Sequence, residues 1–145
     1  MRIMAIDYGD ARTGVAVSDE SATLAGEAWT IRESNPGALA RAVAAEAISR
    51  GVSIVVVGHP VNMDGTTGPR AEKSERLADS LRLLFAEGNS GNIPAVALWD
   101  ERMTTISAHR ILSDAGTYGG KRKKKVDAVA ASLILEGYLI YLGNR

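Results

Sequence analysis

Residues 52–57 read Val52-Ser53-Ile54-Val55-Val56-Val57, almost entirely β-branched and without a helical period. Such side chains fit a pleated surface, and an unbroken apolar run suits a strand covered on both faces. The run follows an Ala-rich segment, residues 38–50, which Asn35 and Pro36 open as N-cap and first helical residue and Gly51 closes. Leu39, Val43 and Ala47 fall on one face of that segment, four residues apart. A helix leading into a doubly covered strand predicts a parallel pairing, and with it an α/β sheet.

Towards the N-terminus, Arg2 to Tyr8 is a short apolar strand ending at Asp7, with a turn at Gly9 and Asp10. Thr13 to Ser18 predicts a second strand and Leu24 to Ile31 a weaker third, giving an antiparallel meander. Towards the C-terminus, Gly58 to Gly68 is a loop rich in turn residues. Pro69 then opens a helix whose Ser74, Leu77, Ala78, Leu81, Leu84 and Phe85 keep a 3.6 period. Ile93 to Trp99 predicts the fifth strand, with Asp100 and Glu101 at its carboxyl end. A helix over about residues 105–112, a hinge at Gly116, Gly119 and Gly120, and a final apolar helix from Val126 to about Tyr141 complete the chain. We read residues 1–145 as a single α/β domain. Its mixed sheet has three antiparallel strands plus two parallel strands, with helices on both faces. This order of elements resembles the ribonuclease H-like fold.

The 145 residues carry 17 Lys+Arg and 17 Asp+Glu, which taken whole offers a nucleic acid nothing. The balance is uneven. Residues 1–101 sum to −5 and residues 102–145 to +5, five of the positive charges being consecutive from Lys121 to Lys125. Screening limits what a ligand senses to about 8–10 Å, so the local cluster counts and not the sum. Lys121, Arg122, Lys123, Lys124 and Lys125 therefore read as a loop that contacts phosphates. The absence of Cys excludes a disulfide scaffold, a thiolate nucleophile and Cys-ligated zinc. No apolar leader precedes Asp7, and the longest apolar stretch, Ala128 to Leu135, is too short to cross a bilayer. A cytoplasmic chain without a membrane partner is expected.

Loops leaving the carboxyl ends of strands are where open α/β sheets do chemistry. Two such ends deliver acids, Asp7 and Glu101, and a third acid, Asp127, opens the apolar last helix on the face of Ala130, Ala131 and Ile134. Clustered carboxylates are stable only with a cation or a shared proton. Hard oxygen ligands select Mg²⁺ or Mn²⁺, and a pair of such ions stabilises both oxygens of a phosphodiester displacement. Asp7, Glu101 and Asp127 are thus the expected metal ligands and catalytic residues of a nuclease. Asp100 supports the site, because adjacent strand residues point to opposite faces. Arg12, Asn62 and Arg102 are further candidates for holding substrate, the two guanidinium groups by their planar fork of donors.

Several segments resemble the YqgF/RuvX family. They are Asp7-Tyr8-Gly9 with Arg12 to Asp19, Val57 to Gly65, Trp99-Asp100-Glu101-Arg102-Met103-Thr104-Thr105, Lys125 to Ala131, and Ile134 to Leu139. They run in the family's order over nearly the whole chain. The family is described as ribonuclease H-like and Holliday-junction-resolvase-like, with a role in pre-16S rRNA 5′-end maturation. The resemblance implies Asp7, Glu101 and Asp127 as metal ligands. The sequence departs from the family pattern at His59 and Met103, where Leu is common, and at Glu136, where Gln is. His59 and His109 have structural readings on chemistry alone.

The expected activity is metal-dependent hydrolysis of nucleic-acid phosphodiesters, on pre-16S rRNA or, alternatively, on branched DNA as a resolvase. A non-catalytic nucleic-acid-binding regulator would keep the fold without the cut. Nucleotide phosphoryl transfer, suggested by the Asp-x-Gly turn, lacks a second domain and a phosphate loop. Both a monomer and a homodimer fit the sequence, though two symmetric cuts in a junction would need the dimer.

Overall fold

The computed structural model describes residues 1–88, 91–103 and 119–143, with the backbone alone at 103 and 119–127. Strands β1 (Arg2–Asp7), β2 (Arg12–Ser18) and β3 (Ala25–Arg32) precede helix α1 (Pro36–Ser49). Strand β4 (Val52–His59), helix α2 (Pro69–Glu87) and strand β5 (Ala95–Asp100) follow. A 3₁₀ turn at Glu101–Met103 and helix α3 (Gly119–Tyr141) complete the described elements. The sheet order is β3-β2-β1-β4-β5. The first three strands pair antiparallel, whereas β4 joins β1 and β5 in parallel. This is the mixed sheet the sequence predicts.

Local chemistry sets the element ends. The Ala38 N–H donates to Asn35 Oδ1 at 2.9 Å, capping α1 ahead of Pro36. Gly51, at φ +66°, takes the left-handed turn out of that helix into β4. The helix expected over residues 105–112, the hinge at Gly116 and His109 lie outside the described residues. One expectation is corrected: Lys121 to Lys125 are not in a loop, because the helical backbone of α3 begins at Gly119 instead of Val126. Lys and Arg are good helix formers, and the buried Ala131, Ile134, Leu135 and Leu139 further along anchor the helix through its two leading glycines.

Side-chain alternation divides the core into two layers. Met4, Ile6, Val15, Val17, Val55 and Val57 face α1 and α2, where Leu39, Val43, Leu81 and Phe85 meet them. Ile3, Ala5, Ala16 and Val56 face the other way, onto Ala131, Ile134, Leu135 and Leu139 of α3. The small Ala5 and Ala16 let α3 lie close to the sheet. At its far end α3 meets β5, where Trp99 is edge-on to Tyr138 and Tyr141, with ring centroids 5.9 and 5.8 Å away. The ring also lies against Gly137, where an added Cβ would come within 3.0 Å of it. At the opposite edge, Arg50 stacks over Trp29 of β3 at 4.2 Å and pairs with Glu27 and Glu46. No helix among the described residues is long and apolar enough to cross a membrane.

Phe85 is 1% exposed and ties α2 to the first layer. Phe85→Ala is expected to cost about 3–5 kcal/mol in urea unfolding, through lost burial and a residual cavity. A loss below about 1 kcal/mol would contradict this packing.

Candidate active site

Asp7 is the last residue of β1, in register with Gly14 of β2. The odd-numbered β1 positions Ile3 and Ala5 face α3, so Asp7 continues that row. Glu101 follows β5 directly. Because β4 lies between β1 and β5, their backbones stand about 9–10 Å apart, two strand spacings. Glu101 spans the gap by running over Gly58: a Cβ at Gly58 would sit 2.8 Å from Glu101 Cδ and 2.7 Å from Ile134 Cδ1. The missing side chain on the middle strand and the second methylene of Glu101 together let the two carboxyl groups meet. Asp7 and Glu101 share a hydrogen bond.

That contact has an electrostatic cost. Burial raises the Glu101 carboxyl above the usual carboxylate range, and Asp100 adds to the rise. The hydrogen bond with Asp7 and the charges of Arg70 and His59 oppose it. Two carboxyl groups on one hydrogen bond hold a proton until a cation replaces it. Hard oxygen donors at a strand end fit a divalent ion such as Mg²⁺ or Mn²⁺. Among the described residues no three acidic or histidine side chains gather into a complete metal site. Asp127, the third acid named by the sequence, has only its backbone described, in α3. Helical spacing puts position 127 on the stripe of Ala131 and Ile134, the stripe that covers Gly58.

The other candidates fall on separate elements. Asp100 turns to the face opposite Glu101 and grips Arg102. Arg102 Nη2 donates to Asp100 Oδ2 at 2.6 Å, Nε to both carboxylate oxygens at 2.9 and 3.1 Å, and the backbone N–H to Oδ1 at 3.0 Å. This Arg102 hydrogen bonding holds the Asp100 carboxyl below its ordinary range. Arg102 also reaches the Met63 carbonyl at 3.4 Å, joining the end of β5 to the β4–α2 loop. Within that loop Asn62 is engaged locally: its Nδ2 donates to Thr66 Oγ1 at 3.0 Å, and Asp64 Oδ1 accepts from the Thr66 hydroxyl at 2.6 Å. His59 Nε2 lies 3.1 Å from Glu75 Oε2, on the α2 side of the sheet. Arg12 begins β2 beside the Gly9 turn. The side chains of Lys121, Arg122, Lys123, Lys124 and Lys125 lie outside the described residues.

Two features escape the sequence reading. Gly58 reads there only as a turn residue, although a lone Gly at the end of a β-branched run signals a close approach. Lys73, which lies off the apolar stripe of α2, reaches back to Asp10 at 2.8 Å, across 63 positions of sequence.

The family model described as RuvX, Holliday junction resolvase, matches residues 1–141. The chain belongs to the RuvX family. A relative from Halothermothrix orenii, named “Putative pre-16S rRNA nuclease”, is 42% identical over 141 residues, covering 97% of this chain and 96% of that protein. One of the same name from Bacillus pumilus is 41% identical over 143 residues, covering 96% and 97%. Among solved structures, Thermus thermophilus RuvC aligns over 99% of this chain and 98% of its own, with TM-score 0.56 and 14% identity. The Fowlpox virus resolvase in complex with Holliday junction DNA aligns over 98% and 99%, with TM-score 0.61 and 14% identity. These likenesses establish for the RuvX-family chain the ribonuclease H-like fold of the resolvases.

The acid pair gives a pH signature. A carboxyl whose pKa rises on folding adds stability below its unfolded value, near 4.5, and loses that contribution as pH climbs through the folded value. Without divalent ions, Glu101→Gln is therefore expected to melt above the wild type at pH 7, the gap closing near pH 4. A lower melting temperature for the variant at pH 7 would show that Glu101 is not strained by its surroundings.

Proposed function

We propose that this RuvX-family nuclease hydrolyses phosphodiesters with Mg²⁺ or Mn²⁺ and processes the 5′ end of pre-16S rRNA, residues 1–145 acting as one domain. The observation that carries the reading is the meeting of Asp7 and Glu101 over Gly58. In it Asp7, Glu101 and Asp127 hold the cations, two being the expected number. A divalent ion bound there supplies Lewis acidity towards the phosphate and its leaving oxygen. The chain's own part is positioning: Arg12, Arg102, Asn62 and the Lys121–Lys125 segment contact backbone phosphates without reading bases. Asp100 holds the Arg102 fork in place. The assigned compartment is the cytoplasm. The names of the curated relatives support the rRNA substrate.

A second reading is a Holliday junction resolvase, favoured by the family description and by the resolvase bound to junction DNA. It requires a homodimer, since a symmetric junction needs two matched cuts. Mn²⁺-dependent cleavage of pre-16S rRNA fragments and four-way junctions, read beside the solution molecular weight, separates the two. Cleavage of rRNA by a monomer is expected. Symmetric junction cutting by a dimer, with rRNA untouched, would reverse the order. Metal-independent binding with no cleavage of either would leave a regulator.

Asp7→Asn, Glu101→Gln and Asp127→Asn are each expected to lower cleavage by more than the roughly 10–100-fold cost of outer-shell changes near a metal. Their circular dichroism should stay that of the wild type. Gly58→Ala is expected to lower cleavage by pushing the Glu101 carboxyl aside, and Glu101→Asp by leaving it too short to cross β4. Full activity in Gly58→Ala would remove the close approach from the mechanism.

A further inference from the structure

A cleft of about 460 Å³ opens between the turn after β1 and α2, lined by Tyr8, Asp10, Ser34, Lys73, Arg76 and Ser80 among others. Its volume lies within the range typical of ligand sites. A smaller cavity of about 150 Å³, between Gly9 and Arg70, shares Tyr8, Asp10 and Lys73 with it, so the two form one groove. Its inner end lies at Gly9, two residues after Asp7, and the charge of Arg70, which lines it, acts on both Asp10 and Glu101. Arg70, Lys73 and Arg76 follow at three-residue steps along α2, a rise of about 4.5 Å each. Tyr8 packs on the first core layer while lining the groove, which gives its ring a fixed seat. An anion already occupies one cation here. The Asp10 carboxylate, on a side chain 80% exposed, holds Lys73 Nζ at 2.8 Å.

We propose that this groove carries the single strand of nucleic acid continuing from the scissile phosphate, with Arg70, Lys73 and Arg76 on its phosphates and Tyr8 under a base. The assignment deepens the nuclease reading above and rests on it. Guanidinium and ammonium groups in a row track a charged backbone, and an aromatic floor stacks any base, so the groove selects unpaired strand without selecting sequence. A duplex does not present its bases to such a floor. Asp10 stands where a phosphate oxygen would, and an incoming strand displaces it from Lys73.

The test is fluorescence anisotropy with an end-labelled ten-nucleotide single-stranded RNA, in chelator so that no cleavage intervenes. Lys73→Gln combined with Arg76→Gln is expected to weaken binding about tenfold and to flatten the dependence of affinity on salt by roughly one contact per cation removed. Arg82→Gln removes one charge from α2 away from the groove and should leave affinity nearly unchanged. Tyr8→Leu should weaken single strand and leave duplex RNA binding as it was. Asp10→Asn should tighten binding, because it frees Lys73; a merely structural ion pair would give no such gain. Unchanged affinity and salt slope in the double variant, or no gain in Asp10→Asn, would overturn the groove. If the variants behave as expected while the wild type cleaves nothing with Mn²⁺, the groove stands and the nuclease reading falls. Cleavage by a wild type whose groove variants bind normally gives the reverse.

Discussion

Two carboxyl groups, one ending β1 and one following β5, share a hydrogen bond across an intervening strand. Much of the local structure answers to that constraint. The middle strand must lack a side chain at the crossing, which Gly58 supplies. The group that crosses must be a Glu, since an Asp would stop short. Ile134 of α3 closes over the same point, so the helix that seals the second core layer also limits water at the acids. The rise in the Glu101 pKa is the electrostatic form of this constraint.

The two faces of the sheet divide the work at its carboxyl end. Asp7, Gly58 and Glu101 share the α3 side. Their neighbours His59 and Asp100 turn to the α2 side and are tied to Glu75 and Arg102. Asp100 thereby keeps a guanidinium beside the β4–α2 loop, although its own charge still adds to the rise at Glu101. Adjacent residues in sequence thus perform separate tasks because a strand sends them in opposite directions.

Much of this architecture is legible in the amino-acid sequence. Val52–Val57 announces a doubly covered strand by composition, Asn35-Pro36 and Gly51 mark both ends of α1, and Asp7 and Glu101 stand out as acids at strand ends. These are local signals, carried by a few residues each. What escapes is non-local. Gly58 gains its meaning from a side chain 43 positions later. The Lys73–Asp10 pair exists only because α2 folds back over the β1–β2 turn. The start of α3 is hidden for a different reason. Gly119 and Gly120 read as a break, but the propensity of five basic residues and the anchoring of the buried turns beyond outweigh two glycines.

The packing of Trp99 has an optical consequence. The chain contains two tryptophans, and they stand on opposite edges of the sheet. Trp29 sits under a guanidinium on β3, whereas Trp99 is wedged between two tyrosines and a glycine of α3, two residues from Glu101. With Trp29 replaced by Phe, indole emission becomes a local gauge of whether α3 is seated on β5. The docking of the helix that carries Asp127 can then be followed in real time, without a label, while substrate or metal is added.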